Sequence, residues 1–300
     1  MQDFAGRTAF VTGGANGVGL GVVRALLAEG CKVAIADIRE DAIEKTLKSL
    51  DNQMVMGVKV DVASRDDMAR AADEVEAKFG PVTLLFNNAG INLFQTIEDS
   101  SWSDWDWVMG VNLQGPINGV MTFVPRMIAH GQGGYIVNTA SMAGWLAAGS
   151  PGIYNTTKFA VRGMSESLRY SLAKHKIGVS ILCPGLVKSY IYASDDIRPA
   201  ELMGDAKPVD HENIKRLADF HEFGMEPDVI AARVLDGMRD NRAYIFSHPE
   251  FRDEVAELFE EYLGDFRDFP NDPGFEQRTG FEKFRRERYK EARAAARSAT

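Results

Sequence analysis

The amino-acid sequence predicts an α/β protein built on a doubly wound parallel sheet, with helices, sheet and helices forming three layers. Short runs of apolar, largely β-branched residues alternate with helical stretches along residues 1–250. Strands that are apolar throughout are typical of a parallel sheet covered on both faces. A glycine-rich segment, TGGANGVG at 12–19, also joins the first strand to the first helix. Ligands of such sheets bind beyond the carboxyl ends of the strands.

Six strands are predicted, and the run AYIF adds a candidate seventh at 243–246. The six strands are expected at 7–12, 32–37, 54–61, 83–88, 135–140 and 179–184. Helices are expected in the intervening stretches, including 19–30, 39–50, 66–80 and 101–131. Because no repeat or low-complexity linker interrupts residues 1–250, we interpret them as a single domain.

Residues 186–226 break the alternation, with few signals for strands or long helices. A loop of this length inside a compact domain is usually a lid, a binding segment or disorder. We favour a substrate lid, because the segment begins at a strand end beside the site predicted below. Tyr190 and Tyr192 are then candidates for substrate contact, although they could instead anchor the loop to the core.

Residues 251–300 are expected to form a helical C-terminal extension. An amphipathic helix is predicted first, PNDPG at 270–274 ends it, and FEKFRRERYKEARAAAR predicts a second, basic helix. The aromatic residues of the second helix suggest docking on the domain or on a neighbouring subunit. Its basic residues are more typical of a solvated helix face than of a nucleic-acid site.

The composition excludes several classes of function. The formal charge of −9 disfavours nonspecific binding to nucleic acid or anionic membranes. No apolar run is long enough to cross a bilayer, and no secretory leader is evident, so cytoplasm is the expected location. The two cysteines, Cys31 and Cys183, have no histidine or cysteine clustered around them in sequence, so a metal site is not predicted.

Tyr154 and Lys158 are the candidate catalytic pair. Their i, i+4 spacing places both side chains on one face of a helix, about 6 Å apart at Cβ. A nearby cation favours the phenolate, so that Tyr154 could take a proton from an alcohol that Ser141 helps to hold. The pattern alone is weak evidence, because Tyr170 and Lys174 also match it. Tyr170 is rotated by about 160° and displaced by about 24 Å along a continuous helix, so we interpret it as a packing residue.

The glycine segment predicts a phosphate cradle, and Asp37 predicts which dinucleotide it accepts. Glycines permit close approach of a pyrophosphate to backbone N–H groups at a helix N-terminus. A carboxylate at the end of the second strand hydrogen-bonds the adenosine ribose and repels a 2′-phosphate, although Asp37 could instead cap the following helix. Arg39 could pair with a 2′-phosphate, but no basic residue lies in the loop, where Asn16 is neutral. We therefore predict NAD rather than NADP.

These motifs together resemble the short-chain dehydrogenase/reductase family over about residues 4–250, which implies a Rossmann-like fold. The resemblance implies a catalytic tetrad of Asn112, Ser141, Tyr154 and Lys158. Lys158 would bind the nicotinamide ribose and help lower the pKa of Tyr154. Asn112 would kink its helix and hold a water of a proton relay. The family usually has threonine where this chain has Ser189.

The cofactor contacts expected from the motifs and the resemblance extend along all the strand ends. They are Gly13, Asn16, Gly17, Val18, Gly19, Asp37, Arg39, Asp61, Val62, Asn88, Ala89, Gly90, Tyr154, Lys158, Pro184, Gly185, Val187 and Ser189.

A narrower resemblance is to the Cα-dehydrogenases of lignin-derived β-aryl ethers, carried by segments such as INLFQTIE and PGLVKSYIYASDDIRPAEL. It implies NAD-dependent oxidation of a benzylic secondary alcohol on a bulky aromatic substrate, in a homodimer or homotetramer. The expected substrate contacts are Asn92, Phe94, Ser141, Met142, Trp145, Tyr154, Tyr190 and Tyr192. A related enzyme for another bulky alcohol or ketone and a non-catalytic cofactor-sensing protein are the alternatives.

Overall fold

The structure is a computed structural model that describes residues 1, 3–269 and 272–298. Its centre is a seven-stranded parallel sheet in the order β3-β2-β1-β4-β5-β6-β7. The strands are β1 Thr8–Thr12, β2 Lys32–Asp37, β3 Val55–Lys59, β4 Val82–Asn87, β5 Gly134–Thr139, β6 Ile177–Cys183 and β7 Tyr244–Phe246. The doubly wound fold and all seven strands are thus confirmed.

Ten α-helices are described. They are α1 Gly17–Ala28, α2 Glu40–Leu50, α3 Arg65–Phe79, α4 Trp102–Met109, α5 Gly115–His130, α6 Gly152–Leu172, α7 His211–His221, α8 Pro227–Arg239, α9 Arg252–Gly264 and α10 Phe275–Arg297. None of them is long and apolar enough to cross a membrane.

The core lies in two layers on opposite faces of the sheet, because successive strand residues point to opposite sides. Val11 and Leu84 belong to the apolar cluster on one face. Their neighbours Phe10 and Leu85 belong to the cluster on the other face, and all four are buried. This double coverage explains why the strands are apolar at every position.

The long helix predicted at 101–131 is divided. A π-helical turn, Gly110–Gln114, separates α4 from α5 and contains Asn112. The interruption agrees with the kink that the family resemblance implies at this residue. π-Turns within helices are frequent at functional sites.

Residues 186–226 are more regular than the sequence indicates. They contain 3-10 turns at Ile191–Ile197 and Ala200–Leu202 and the eleven-residue helix α7. A bridge between Val187 and Met225 brings the two ends of the segment together. The expectation of few helical signals was wrong for α7, where Asp210 caps the first turn by accepting from the backbone N–H of Asn213.

The C-terminal extension is helical, as α9 and α10. Helix α10 packs against α6, where the rings of Tyr170 and Tyr289 lie 5.7 Å apart. The packing role expected for Tyr170 agrees with this contact. The predicted break at 270–274 includes Pro270 and Asn271, which lie outside the described residues, as do Ala299 and Thr300.

Candidate active site

A cavity of about 750 Å³ opens along the carboxyl ends of the strands. Its walls include the loops that follow β1, β2, β4, β5 and β6, the N-terminal half of α6 and the segment 186–221. The cavity therefore lies where a doubly wound sheet binds its ligand. All but one of the residues expected to contact a cofactor line it.

The glycine loop forms one wall because its backbone approaches its neighbours closely. Gly13 and Gly17 have φ angles of +63° and +50°, which favour glycine. A Cβ at Gly13 would lie 2.9 Å from Cα of Ala89. Asn16 caps α1 by accepting a hydrogen bond from the Gly17 N–H. Gly19 does not line the cavity but packs against the Gly13 carbonyl, whose oxygen would lie 2.1 Å from a Cβ at Gly19.

Asp37 ends β2 with its carboxylate at the edge of the cavity. The carboxylate accepts hydrogen bonds from the N–H groups of Ala15, at 3.3 Å, and Arg39, at 3.1 Å. Burial raises the pKa of Asp37, and these hydrogen bonds oppose the rise. One carboxylate thus ties the glycine loop to Arg39, the residue that precedes α2.

Thr12 holds the loop after β4 in place, a role that the sequence did not indicate. Its Oγ1 accepts from the N–H groups of Asn88 and Ala89, at 2.9 and 3.0 Å. The Asn88 amide in turn donates to the Thr12 and Gly13 carbonyls. These bonds fix the relative positions of the two loops that face each other across the cavity.

Ser141, Tyr154 and Lys158 meet at the centre of the cavity, as predicted. The Lys158 Nζ lies 5.2 Å from the centroid of the Tyr154 ring and donates to the Thr139 carbonyl at 3.0 Å. Ser141 Oγ accepts from the Ala143 N–H and donates to the Pro184 carbonyl. The trio combines a hydroxyl that can hold an oxygen, a phenol that can exchange its proton and an ammonium beside it.

The protein surroundings hold both ionisable members of the trio towards their neutral forms. Burial raises the pKa of Tyr154 to about 12, with the Ser141 hydroxyl opposing the rise. Burial also lowers the pKa of Lys158 to about 8. Both shifts follow from loss of solvent around a charge. Burial therefore outweighs the Ser141 hydrogen bond at Tyr154, and a cationic ligand beside the phenol would oppose the effect of burial.

Asn112 does not line the cavity but supports its floor. Its amide accepts from the Ile91 N–H and donates to the Ile91 carbonyl, both at 2.8 Å. A Cβ on Gly90 would lie 3.4 Å from Asn112 Oδ1 and 3.6 Å from Lys158 Nζ, so both atoms lie near the same side of Gly90. Asn112 thus holds the backbone of this loop at Ile91, close to Lys158.

Three of the residues expected to contact substrate do not line this cavity. Trp145 is buried behind the cavity, where its Nε1 lies 3.4 Å from Cys183 Sγ and its ring packs against Arg162. Met142 is buried in the same apolar cluster. Tyr192 does not line the cavity but packs against other aromatic rings of the segment 186–226, which we call the lid after the role predicted for it. The residues Asn92, Phe94 and Tyr190 line it as expected.

The lid brings further residues to the cavity that the sequence analysis missed. Leu217, Phe220 and His221 of α7 line it at i, i+3 and i+4 spacing, and Trp107 of α4 does so from the opposite side. The apolar stripe on α7 is the signal that could have identified this wall.

The lining fits a dinucleotide at the end of the cavity that holds the glycine cradle. Side chains at Gly13 and Gly17 would occupy the space of the glycine cradle. A Cβ at Gly17 would lie 3.2 Å from the Cβ of Ser189. The buried carboxylate of Asp37 stands at the far edge. Tyr154 and Lys158 lie between this cradle and the aromatic lid. These features define an oxidoreductase that uses a dinucleotide.

The chain belongs to the short-chain dehydrogenase family, whose model matches residues 7–198. It is 39% identical over 276 residues to a C alpha-dehydrogenase of Sphingobium sp., covering 91% of this chain and 90% of that protein. A solved putative short-chain dehydrogenase from Novosphingobium aromaticivorans is 57% identical, with a TM-score of 0.87 over 99% of this chain and 100% of that one. A short-chain dehydrogenase/reductase from Burkholderia phymatum, solved with NAD, is 33% identical, with a TM-score of 0.84 over 91% and 99%.

Proposed function

We propose that this enzyme uses NAD to oxidise the benzylic secondary alcohol of a lignin-derived β-aryl ether to the ketone. The observation that carries the proposal is the position of Tyr154, Lys158 and Ser141 between a glycine cradle and an aromatic wall. The similarity to a C alpha-dehydrogenase over nine tenths of both chains supports the substrate class.

The chain's own residues would act on the carbinol oxygen. Ser141 and Tyr154 would hydrogen-bond that oxygen, and the Tyr154 phenolate would accept its proton. Bound NAD would supply the acceptor for the carbinol hydride. Lys158, held by the Thr139 carbonyl, would bind the nicotinamide ribose and favour the phenolate. Asn112 would hold the backbone of the loop at Ile91 in place. It would also bind a water molecule of the proton relay that links Lys158 to solvent.

The preference for NAD rests on Asp37. Its carboxylate is already fixed by two backbone N–H groups, so it offers its remaining lone pairs to ribose hydroxyls. A 2′-phosphate there would meet a like charge. The NAD complex of the Burkholderia phymatum relative supports the same choice.

The test is NADH formation from NAD and a racemic β-aryl-ether benzylic alcohol, with wild type beside Tyr154→Phe. We expect robust wild-type turnover and at least about a hundredfold loss in the variant, which retains NADH binding, because the general base is absent. Tyr170→Phe is the matched control and should keep full activity. Turnover that stops near half conversion would reveal selectivity for one carbinol stereoisomer.

Two other functions make different predictions for this assay. An enzyme for another bulky alcohol or ketone would bind NADH but leave the ether substrate unchanged, and a panel of alcohols and ketones would identify its class. A non-catalytic cofactor sensor would bind NADH and turn over no substrate. The complete trio at the cavity argues against the sensor.

We also propose a homodimer or homotetramer in which α5 and α6 form the contact. These helices expose the large apolar side chains of Met121, Ile128 and Phe159. Apolar residues clustered on exposed helices are typical of protein interfaces.

A further inference from the structure

His221 of the lid occupies an unusual position for a polar side chain. It is buried, with 6% of its surface exposed, and it lines the cavity. The Tyr192 ring lies 5.0 Å from its ring centroid, and the Phe94 ring lies 6.1 Å away in an edge arrangement. These contacts fix the plane of the imidazole, because rotation would drive it into one ring or the other.

The hydrogen bonds of His221 determine which nitrogen remains available. Its Nδ1 lies 2.8 Å from the Leu217 carbonyl, one turn earlier on α7. Because a carbonyl oxygen can only accept, Nδ1 carries the hydrogen, and the neutral ring presents a lone pair at Nε2. No residue that the structure describes hydrogen-bonds this Nε2. This nitrogen is therefore available to accept a hydrogen bond from a ligand in the cavity that His221 lines.

The surroundings indicate what kind of ligand group would reach Nε2. The neighbouring walls are the aromatic faces of Phe94, Trp107 and Phe220, with Tyr190 at the rim. Such walls accept an aryl ring, for which stacked or edge contacts are favourable. A hydroxyl on such a ring, at the edge remote from the carbinol that Ser141 and Tyr154 would hold, could donate a hydrogen bond to Nε2.

We propose that His221 is a specificity residue whose Nε2 accepts a hydrogen bond from a para-hydroxyl on the aryl ring of the substrate. This inference rests on the proposed function and adds a choice between phenolic and O-alkylated substrates. A methyl ether at the same position has no hydrogen to donate and leaves Nε2 unpartnered. Sites built to bond a hydroxyl reject an analogue that lacks it.

The experiment measures kcat and KM for two β-aryl-ether alcohols that differ only in a para-hydroxyl or a para-methoxy group. Wild type should favour the phenol. His221→Phe should raise KM for the phenol about tenfold and leave the methoxy substrate within about twofold. His221→Gln, which restores an acceptor oxygen, should recover part of the preference. His211→Phe, at the exposed start of the same helix, is the control and should behave as wild type.

The outcomes separate the two proposals. An equal loss on both substrates, or a wild type that does not discriminate, would overturn the role of His221 while leaving the dehydrogenase assignment intact. NADH affinity measured in each variant shows whether the fold and cofactor site persist. Failure of wild type to oxidise either substrate while it binds NADH would overturn the ether substrate and with it the inference.

Discussion

At the scale of single residues, burial in the protein disfavours the charged forms of both ionisable side chains of the candidate site. Tyr154 and Lys158 are both shifted towards neutrality by burial. A phenol whose pKa lies near 12 is almost fully protonated at neutral pH, and the positive nicotinamide ring of the proposed cofactor would favour its phenolate.

The cost of burying Lys158 should be measurable. Its folded-state pKa of about 8 lies below the ordinary value of 10.5, so the lysine destabilises the fold below pH 8, and this cost is relieved as pH rises towards 10.5. Lys158→Met should therefore be more stable than wild type at pH 7. We expect the difference in unfolding free energy between Lys158→Met and wild type to shrink by about 3 kcal/mol between pH 7 and pH 10. Denaturant unfolding across this range measures it.

The exposed Lys174→Met is the control for this experiment, because its solvated ammonium bears no comparable burial cost. Its stability should follow wild type at every pH. A gap between Lys158→Met and wild type that stayed constant with pH would contradict the burial argument.

Asp37 should control the choice of dinucleotide. Asp37→Ala removes the carboxylate that would bond the ribose and repel a 2′-phosphate, while Arg39 stays in place. We expect the ratio of kcat/KM for NAD over NADP to fall by at least about tenfold. Steady-state kinetics with both cofactors provide the measurement. Asp41→Ala, on the neighbouring turn of α2, serves as control, and a wild type that favoured NADP would contradict the assignment.

At the scale of elements, the lid is held by a buried ion pair that its sequence does not reveal. Arg198 donates to the Asp104 carboxylate at 2.5 Å, and only 2% and 3% of the two side chains are exposed. The guanidinium also lies 4.7 Å from the centroid of the Trp107 ring, a residue of the cavity wall. Burial raises the pKa of Asp104, but hydrogen bonds from Ser101 and Arg198 outweigh it and lower the pKa. The buried pair of Arg198 and Asp104 therefore fixes the lid to α4.

Breaking this pair should loosen the lid. Arg198→Met leaves the Asp104 carboxylate buried beside an apolar side chain, which should cost about 3 kcal/mol of unfolding free energy. We also expect a higher KM for the alcohol with NADH affinity retained, and faster proteolysis within 198–210. Thermal unfolding, kinetics and limited proteolysis report these changes.

Lys207→Met is the matched control on the same segment. Its ion pair with Asp99 is exposed, so its loss should change the free energy of unfolding much less than loss of the buried pair. Equal effects of the two substitutions would show that the buried pair does not hold the lid.

At the scale of the whole molecule, the exposed apolar face of α5 and α6 predicts self-association. Met121→Glu combined with Phe159→Glu places two charges on that face, and desolvating them should weaken the contact. We expect wild type to be a dimer or tetramer by light scattering and the double variant to be smaller. Phe281→Glu, on the exposed side of α10, is the control. A monomeric wild type would contradict the proposed assembly.

The sheet and the cofactor side of the cavity could be predicted from sequence because their signals are local. A strand buried on both faces must be apolar at each position, and a backbone cradle requires glycine at Gly13 and Gly17. The spacing of Tyr154 and Lys158 similarly follows from one helical turn. These features depend on neighbours within a few residues, and the amino-acid sequence determines them directly.

Only the tertiary structure decided which side chains form the wall of the cavity. Trp145 is close in sequence to Ser141, but packing against β6 turns it away from the cavity. His221 is far along the chain, and the folding of the lid brings it to the same cavity as Tyr154. The periodicity of a short segment carries no information about contacts between residues that a long loop separates in sequence. The chemistry was therefore readable from the sequence, whereas the shape of the pocket depended on the long-range packing of α4, α7 and the lid.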